Sequence, residues 1–139
     1  MQVLVDADNV HPARLAALLD ALALTGFTPS QNGDVRLVAI GRARALANTT
    51  WPEGAEVVPH QGWQSADIAL AQAYVHDDEA LVLASGDGDF VHLVRGHEGP
   101  VLVVAAERST AGRMRDHATV VDPVHEGTAR IVDWLNGLP

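Results

Sequence analysis

Five aspartates stand where they could do chemistry together: two in Asp6-Ala7-Asp8-Asn9, one in Ser65-Ala66-Asp67, and two in Ser85-Gly86-Asp87-Gly88-Asp89. Two carboxylates ~4 Å apart repel by about 4 kcal/mol at an effective dielectric of 20, so three or four together must be protonated or neutralised. A hard divalent cation neutralises them. All-oxygen coordination by a few carboxylates and waters is the habit of Mg²⁺ and Mn²⁺, and such sites hold phosphates or support in-line attack on a phosphodiester. Cysteine is absent, which removes thiolate metal sites, thiol nucleophiles and a disulfide framework. The seven histidines show no paired metal spacing. His11, directly after the first acidic loop, is the one placed to touch a phosphate.

These acids need elements that bring them to one edge. Leu81-Val82-Leu83-Ala84 is an apolar run without polar alternation, which reads as a strand buried on both faces that ends in two glycines and two acids. Gly86 and Gly88 let the backbone turn sharply, and Asp89 stands where a helix from Phe90 to Gly96 would take its N-cap. Gln2 to Val5 is a second such strand, and it delivers Asp6. Pro12 opens a helix carrying Leu15, Leu18, Leu19 and Leu22 at helical spacing, and Gly26 to Gly33 reads as a loop. A strand from Val35 to Ile40, a short helix from Arg42 to Ala47 and a brief strand Glu56-Val57-Val58 follow.

Ser65 to Tyr74 reads as helix, with Asp67, Leu70, Ala71 and Tyr74 at i, i+3, i+4 and i+7, so this aspartate shares a face with residues expected to pack on the sheet. Further on, strands at Pro100 to Val104 and Ala118 to Val121 alternate with a short helix, Thr110 to Arg115, and a final helix, Glu126 to Leu138. Strand and helix in alternation, with nearly continuous apolar strands, predict a three-layer α/β/α domain with a mostly parallel central sheet. In open sheets of this kind ligands bind beyond the carboxyl ends of the strands, where Asp6, Asp8, Asp87 and Asp89 are all placed.

A chain of 139 residues, 47% hydrophobic, makes one globular domain, 1–139. No apolar run reaches the ~18 residues of a membrane span, and a strand begins almost at Met1 without a signal-peptide core, so a cytoplasmic protein is expected. The net charge of −9 comes from 18 acids against 9 bases, all of them arginine. Such a chain is not steered globally toward nucleic acid. Locally, Arg42 and Arg44 follow one strand while Arg108, Arg113 and Arg115 follow another, which places basic groups on the acidic edge to meet phosphates.

The residues also resemble a family. Val3 to Asn9 as strand-Asp-x-Asp-Asn, Gly62-Trp63-Gln64-Ser65-Ala66-Asp67-Ile68-Ala69-Leu70, and Leu83-Ala84-Ser85-Gly86-Asp87-Gly88-Asp89-Phe90 come in the order and roughly the spacing of the NYN domain proteins, the LabA-like branch of the PIN-like nucleases. Asp116 to Val121 is similar to that branch's final strand, so the likeness spans essentially the whole chain. It implies a PIN-like, Rossmann-like fold, with catalytic, metal-binding acids at Asp6, Asp67, Asp87 and Asp89. Asn9, Ser85 and Asp8 would support them, Asp8 either in the site or capping the following turn. It further implies Mg²⁺- or Mn²⁺-dependent cleavage of RNA, single-stranded or structured. Gln64 stands where members often carry a basic residue, and Ala73 where they often carry a further acid. A homodimer is open.

Two other readings fit. Asp6-Ala7-Asp8-Asn9-Val10 after an apolar strand also looks like the nucleophile motif of haloacid dehalogenase-type phosphatases, although those enzymes usually need a lysine and this chain has none. A catalytically silent domain that binds RNA or a protein partner is the third, because fold does not guarantee activity. Trp51 and Trp63 read as packing residues, with Trp63 near enough to the site to stack a base.

Overall fold

The computed structural model describes residues 1–30, 33–60 and 66–139. Asn32 in the expected loop, and Trp63, Gln64 and Ser65 ahead of the Asp67 helix, lie outside the described residues. Among the described residues six strands, β1 (Gln2–Asp6), β2 (Arg36–Gly41), β3 (Glu56–Pro59), β4 (Leu81–Ala84), β5 (Val101–Val104) and β6 (Thr119–Val121), form one sheet in the order β3-β2-β1-β4-β5-β6. Every pairing is parallel. The helices described beside it are α1 (Pro12–Leu24), α2 (Ala43–Ala47), α3 (Ala66–Ala73), α4 (Val91–Gly96), α5 (Pro123–Glu126) and α6 (Thr128–Asn136). The expected α/β class is the observed one.

The alternation of strand side chains sorts the core into two layers. Val3, Val5, Leu37, Ala39, Val82, Ala84, Leu102 and Val104 meet Leu15, Leu18 and Leu22 of α1 and Ile131 and Leu135 of α6. Their neighbours Leu4, Val38, Ile40, Leu81, Leu83, Val101 and Val103 meet Leu70 of α3, Val91 and Val94 of α4, and Met114. Both faces of β1, β2, β4 and β5 are covered, so these strands have no polar alternation, whereas β3 at the sheet edge is largely exposed. Burying a Leu or Val side chain contributes ~1.5–3 kcal/mol, which makes these two layers the main stabilising term.

Three local expectations change. The final helix is broken at Gly127, whose φ of +87° lies outside what a helix can continue, so α5 ends there and α6 begins. The turn after β4 enters a 3₁₀ turn, Gly88–Phe90, before α4, and its N-cap is Asp87, whose carboxylate accepts from the Asp89 amide. Asp89 is therefore not the cap. On α3 the buried stripe is Ala66 and Leu70 with Ala69, Ala73 and Tyr74 packed beside it, while Ala71 is exposed. Asp67 sits at the border of that stripe.

The strand order places the reversal of chain direction between β1 and β4. From β1 the sheet grows outward through β2 and β3, then returns to the other side of β1 with β4 and grows outward again through β5 and β6. Loops leaving β1 and β4 therefore diverge and leave a crevice at their carboxyl ends, the usual ligand position in this architecture.

Candidate active site at the sheet switch point

Asp6 closes β1 at this crevice and is fully buried. Its Oδ2 accepts from Asn9 Nδ2 and from Ser85 Oγ, each at 2.9 Å. Ser85, also fully buried, leaves β4 next door, and its hydroxyl oxygen accepts from the Asp87 amide at 3.1 Å. Asp6 Oδ1 is buried and has no hydrogen-bond partner among the described residues. Burial pushes the Asp6 carboxyl above its ordinary range; the Asn9 and Ser85 hydrogen bonds oppose this, and the charges of Asp8 and Asp87 add to it. The group is held in place by two donors and remains electrostatically uncomfortable.

Glycines let the loops approach. The Gly86 amide donates to the Asn9 carbonyl at 2.7 Å, joining the β1 and β4 loops, and a Cβ on Gly86 would stand 3.0 Å from that carbonyl oxygen. Thr110, in the 3₁₀ turn Thr110–Met114 after β5, accepts from the Gly88 amide and donates to the Gly86 carbonyl. A Cβ on Gly88 would come to 2.5 Å from the Thr110 carbonyl oxygen, so glycine is required by packing there, with φ playing no part. Nothing about Thr110 in the linear sequence marks it as the residue that ties this loop down.

Asp8 turns to the other side. It accepts from the Arg42 amide through Oδ1 at 3.0 Å and meets His60 Nε2 through Oδ2 at 2.9 Å. Burial would raise the Asp8 carboxyl, but the Arg42 amide, the His60 hydrogen bond and the charges of both residues hold it below the ordinary value. His60 lies just past β3 and was not among the expected site residues; only the parallel β2–β3 pairing brings it to Asp8. His11 caps α1, its Nδ1 accepting from the Ala13 amide at 3.1 Å.

The remaining acids stand apart. Asp87 is half-buried; its Oδ1 serves the cap, and no other donor among the described residues reaches it. Asp67 lines a groove of about 280 Å³ with Ile68, Ala71, Asp89, Phe90, His92 and Leu93. Its Oδ1 is buried without a partner among the described residues. Asp89 is exposed and reaches Arg113 at 4.0 Å. Among the described residues no three His, Asp or Glu side chains come close enough to hold a metal ion between them. The single four-carboxylate cluster expected from the sequence is thus spread out: Asp6 and Asp87 share the switch point, while Asp67 and Asp89 share the groove.

Arg42 and Arg44 lie beyond β2, and Arg108, Arg113 and Arg115 beyond β5, all exposed and on both flanks of the crevice. Arg115 also donates to the Val120 carbonyl at 3.4 Å. No helix among the described residues is long and apolar enough to cross a membrane. No protein-family model, no curated protein and no solved structure matches the chain.

Proposed function

We propose that the protein is a divalent-metal-dependent ribonuclease working at the β1–β4 crevice. The observation that carries this reading is Asp6, a fully buried carboxylate with one oxygen doubly hydrogen-bonded and the other without a partner among the described residues. A buried carboxylate oxygen left unpaired is costly, and a cation or a proton relieves it. Mg²⁺ is commonly held by one or two carboxylates together with waters and substrate phosphates, so a site without a three-carboxylate cage fits it. Asp6 and Asp87 are the residues that would hold the ion, with Asn9 and Ser85 fixing the Asp6 rotamer. When bound, such an ion polarises a phosphoryl oxygen and acidifies a coordinated water. The flanking arginines supply the phosphate contacts that an acidic chain otherwise lacks.

Asp8 in a phosphatase scheme would have to act as an acid beside Asp6, but both its oxygens are engaged by Arg42 and His60. Nothing favours that alternative. The test of the nuclease reading is thermal unfolding with Mn²⁺ against an EDTA reference, combined with cleavage of single-stranded RNA. Saturation at ~100 times the dissociation constant adds about 2.7 kcal/mol. Asp87→Asn is expected to fold, to lose metal-dependent cleavage and to show a smaller Mn²⁺ shift. Cleavage that survives in Asp87→Asn assigns the activity elsewhere. A Mn²⁺ shift without cleavage by the wild type leaves a silent domain.

A further inference from the structure

Asp87 lies between Gly86 and Gly88, and glycine restrains a backbone least of all residues. A carboxylate on such a stretch has no fixed direction unless its neighbouring peptide groups are held. Two restraints are local: the Asp87 amide donates to Ser85 Oγ at 3.1 Å, and Asp87 Oδ1 accepts from the Asp89 amide at 2.9 Å. Two come from other loops. The Gly86 amide donates to the Asn9 carbonyl, and the Thr110 hydroxyl, beyond β5, accepts from the Gly88 amide at 2.8 Å while donating to the Gly86 carbonyl at 3.0 Å.

The Gly86 carbonyl belongs to the peptide group that precedes Asp87, and the Gly88 amide to the one that follows it. One hydroxyl therefore bridges the two planes whose relative orientation is the φ and ψ of Asp87, −89° and 112°. We infer that Thr110 is a positioning residue for the metal, its hydroxyl fixing the Asp87 carboxylate at the switch point without touching the ion. This rests on the proposal that Asp6 and Asp87 hold a divalent cation. The two turns are packed closely enough for such control: a Cβ on Gly88 would stand 2.5 Å from the Thr110 carbonyl oxygen and 3.1 Å from Arg113 Cδ. Thr110 itself is exposed, so water can replace its hydroxyl and folding loses little. Water satisfies the two peptide groups but does not hold them at a fixed angle. Partners that orient a metal ligand from behind are worth about 10–100-fold in metal affinity.

The experiment is Mn²⁺ binding by the full chain, with free Mn²⁺ counted from its electron paramagnetic resonance signal, in the wild type and in Thr110→Val, Thr110→Ala, Thr110→Ser and Thr25→Val. Valine keeps the shape of threonine without the hydroxyl, and serine keeps the hydroxyl. Thr25, whose hydroxyl donates to the Ala21 carbonyl at the far end of α1, controls for the loss of an ordinary hydrogen bond. The expected dissociation constant is about tenfold or more above the wild type for Thr110→Val and Thr110→Ala, and within about twofold of it for Thr110→Ser and Thr25→Val. All four should melt in EDTA within a few degrees of the wild type. Amide hydrogen exchange at Gly88, also in EDTA, should quicken in the valine and alanine variants and not in the serine variant. Wild-type Mn²⁺ affinity in Thr110→Val and Thr110→Ala overturns the inference and leaves the metal site standing. So does a Thr110→Ser variant as weak as Thr110→Val, which makes the methyl group the cause, or an equal loss in Thr25→Val, which makes the cause general stability. A wild type that takes up no Mn²⁺ removes the metal reading and this inference with it.

Discussion

Two aspartates at the carboxyl edge of the same sheet are almost fully buried, Asp6 at the end of β1 and Asp122 just after β6. Asp122 has every requirement met. Arg14 of α1 grips both its oxygens, Nε to Oδ1 and Nη2 to Oδ2, each at 3.0 Å; the Glu107 amide donates to Oδ2 and the Val124 amide to Oδ1. Burial would raise the Asp122 carboxyl, yet the Arg14 hydrogen bonds and charge together with the two amides bring it down to about 2. Among the described residues Asp6 has two neutral side-chain donors, no cation and two acidic neighbours, and its carboxyl moves up. Burial alone does not separate a structural acid from a candidate catalytic one; the completeness of its partners does.

The largest effect expected from this contrast is on folding. Asp122→Ala strands the Arg14 guanidinium and two amides and removes the N-cap of α5, so urea unfolding at pH 7 should show a loss of about 3–5 kcal/mol. Asp6→Asn in EDTA should change stability by no more than about 1 kcal/mol. It removes an unpaired charge but leaves an amide donor without an acceptor. If Asp6→Asn costs as much as Asp122→Ala, Asp6 is a structural residue and the contrast fails.

The pH dependence should have opposite signs at the two sites. For Asp122 the folded carboxyl lies below the ordinary 3.8, so its contribution of about 2 kcal/mol is complete above pH ~4 and fades as pH falls toward 2. For Asp6 the folded carboxyl lies above 3.8, so its contribution is complete below that value and is lost as pH rises through the folded pKa. Urea curves from pH 2.5 to 7 for the wild type, Asp122→Asn and Asp6→Asn separate the two. Asp122→Asn should converge on the wild type in acid. Asp6→Asn should gain on it as pH rises, and Mn²⁺ should cancel that gain. A wild-type minus Asp6→Asn difference that is flat with pH would remove the electrostatic argument for a cation.

The same comparison shows what linear sequence can disclose. Apolar runs without alternation were enough to place Asp6 and Asp87 at strand ends on one sheet edge, because a strand covered on both faces has nowhere to hide a polar residue except its ends. Arg14 and Asp122 are separated by 108 positions and meet only because α1 and α5 pack together, so no local pattern announces the pair. Asp122-Pro123 does carry a local helix-start signal, aspartate before a proline at the first helical position, and it was legible in principle. Helical spacing put Asp67 on a half-buried face but could not tell whether that face opened on the switch point or on a groove beside it. Gly127 reads as an ordinary helix residue until its positive φ divides the last helix.

The smallest effect concerns the arginines, and it asks whether the acidic crevice has a basic frame. Arg42, Arg44 and Arg108 have no side-chain ion partner among the described residues, while Arg113 is 62% exposed and its pair with Asp89 is long, at 4.0 Å. Such a surface pair contributes little to stability, so these side chains are available to phosphates. With two to four phosphates neutralised on a single strand, log affinity against log salt should have a slope of roughly −1.5 to −3. Arg108→Ala combined with Arg113→Ala should flatten that slope by about one and weaken all RNA sequences alike, because phosphate contacts do not read bases. Unfolding free energy should move by less than about 0.5 kcal/mol, an order of magnitude below Asp122→Ala. An unchanged slope would move the RNA path off the β5 flank and leave Arg42 and Arg44 as the frame. A weakening that depends on sequence would mean that one of these arginines contacts a base.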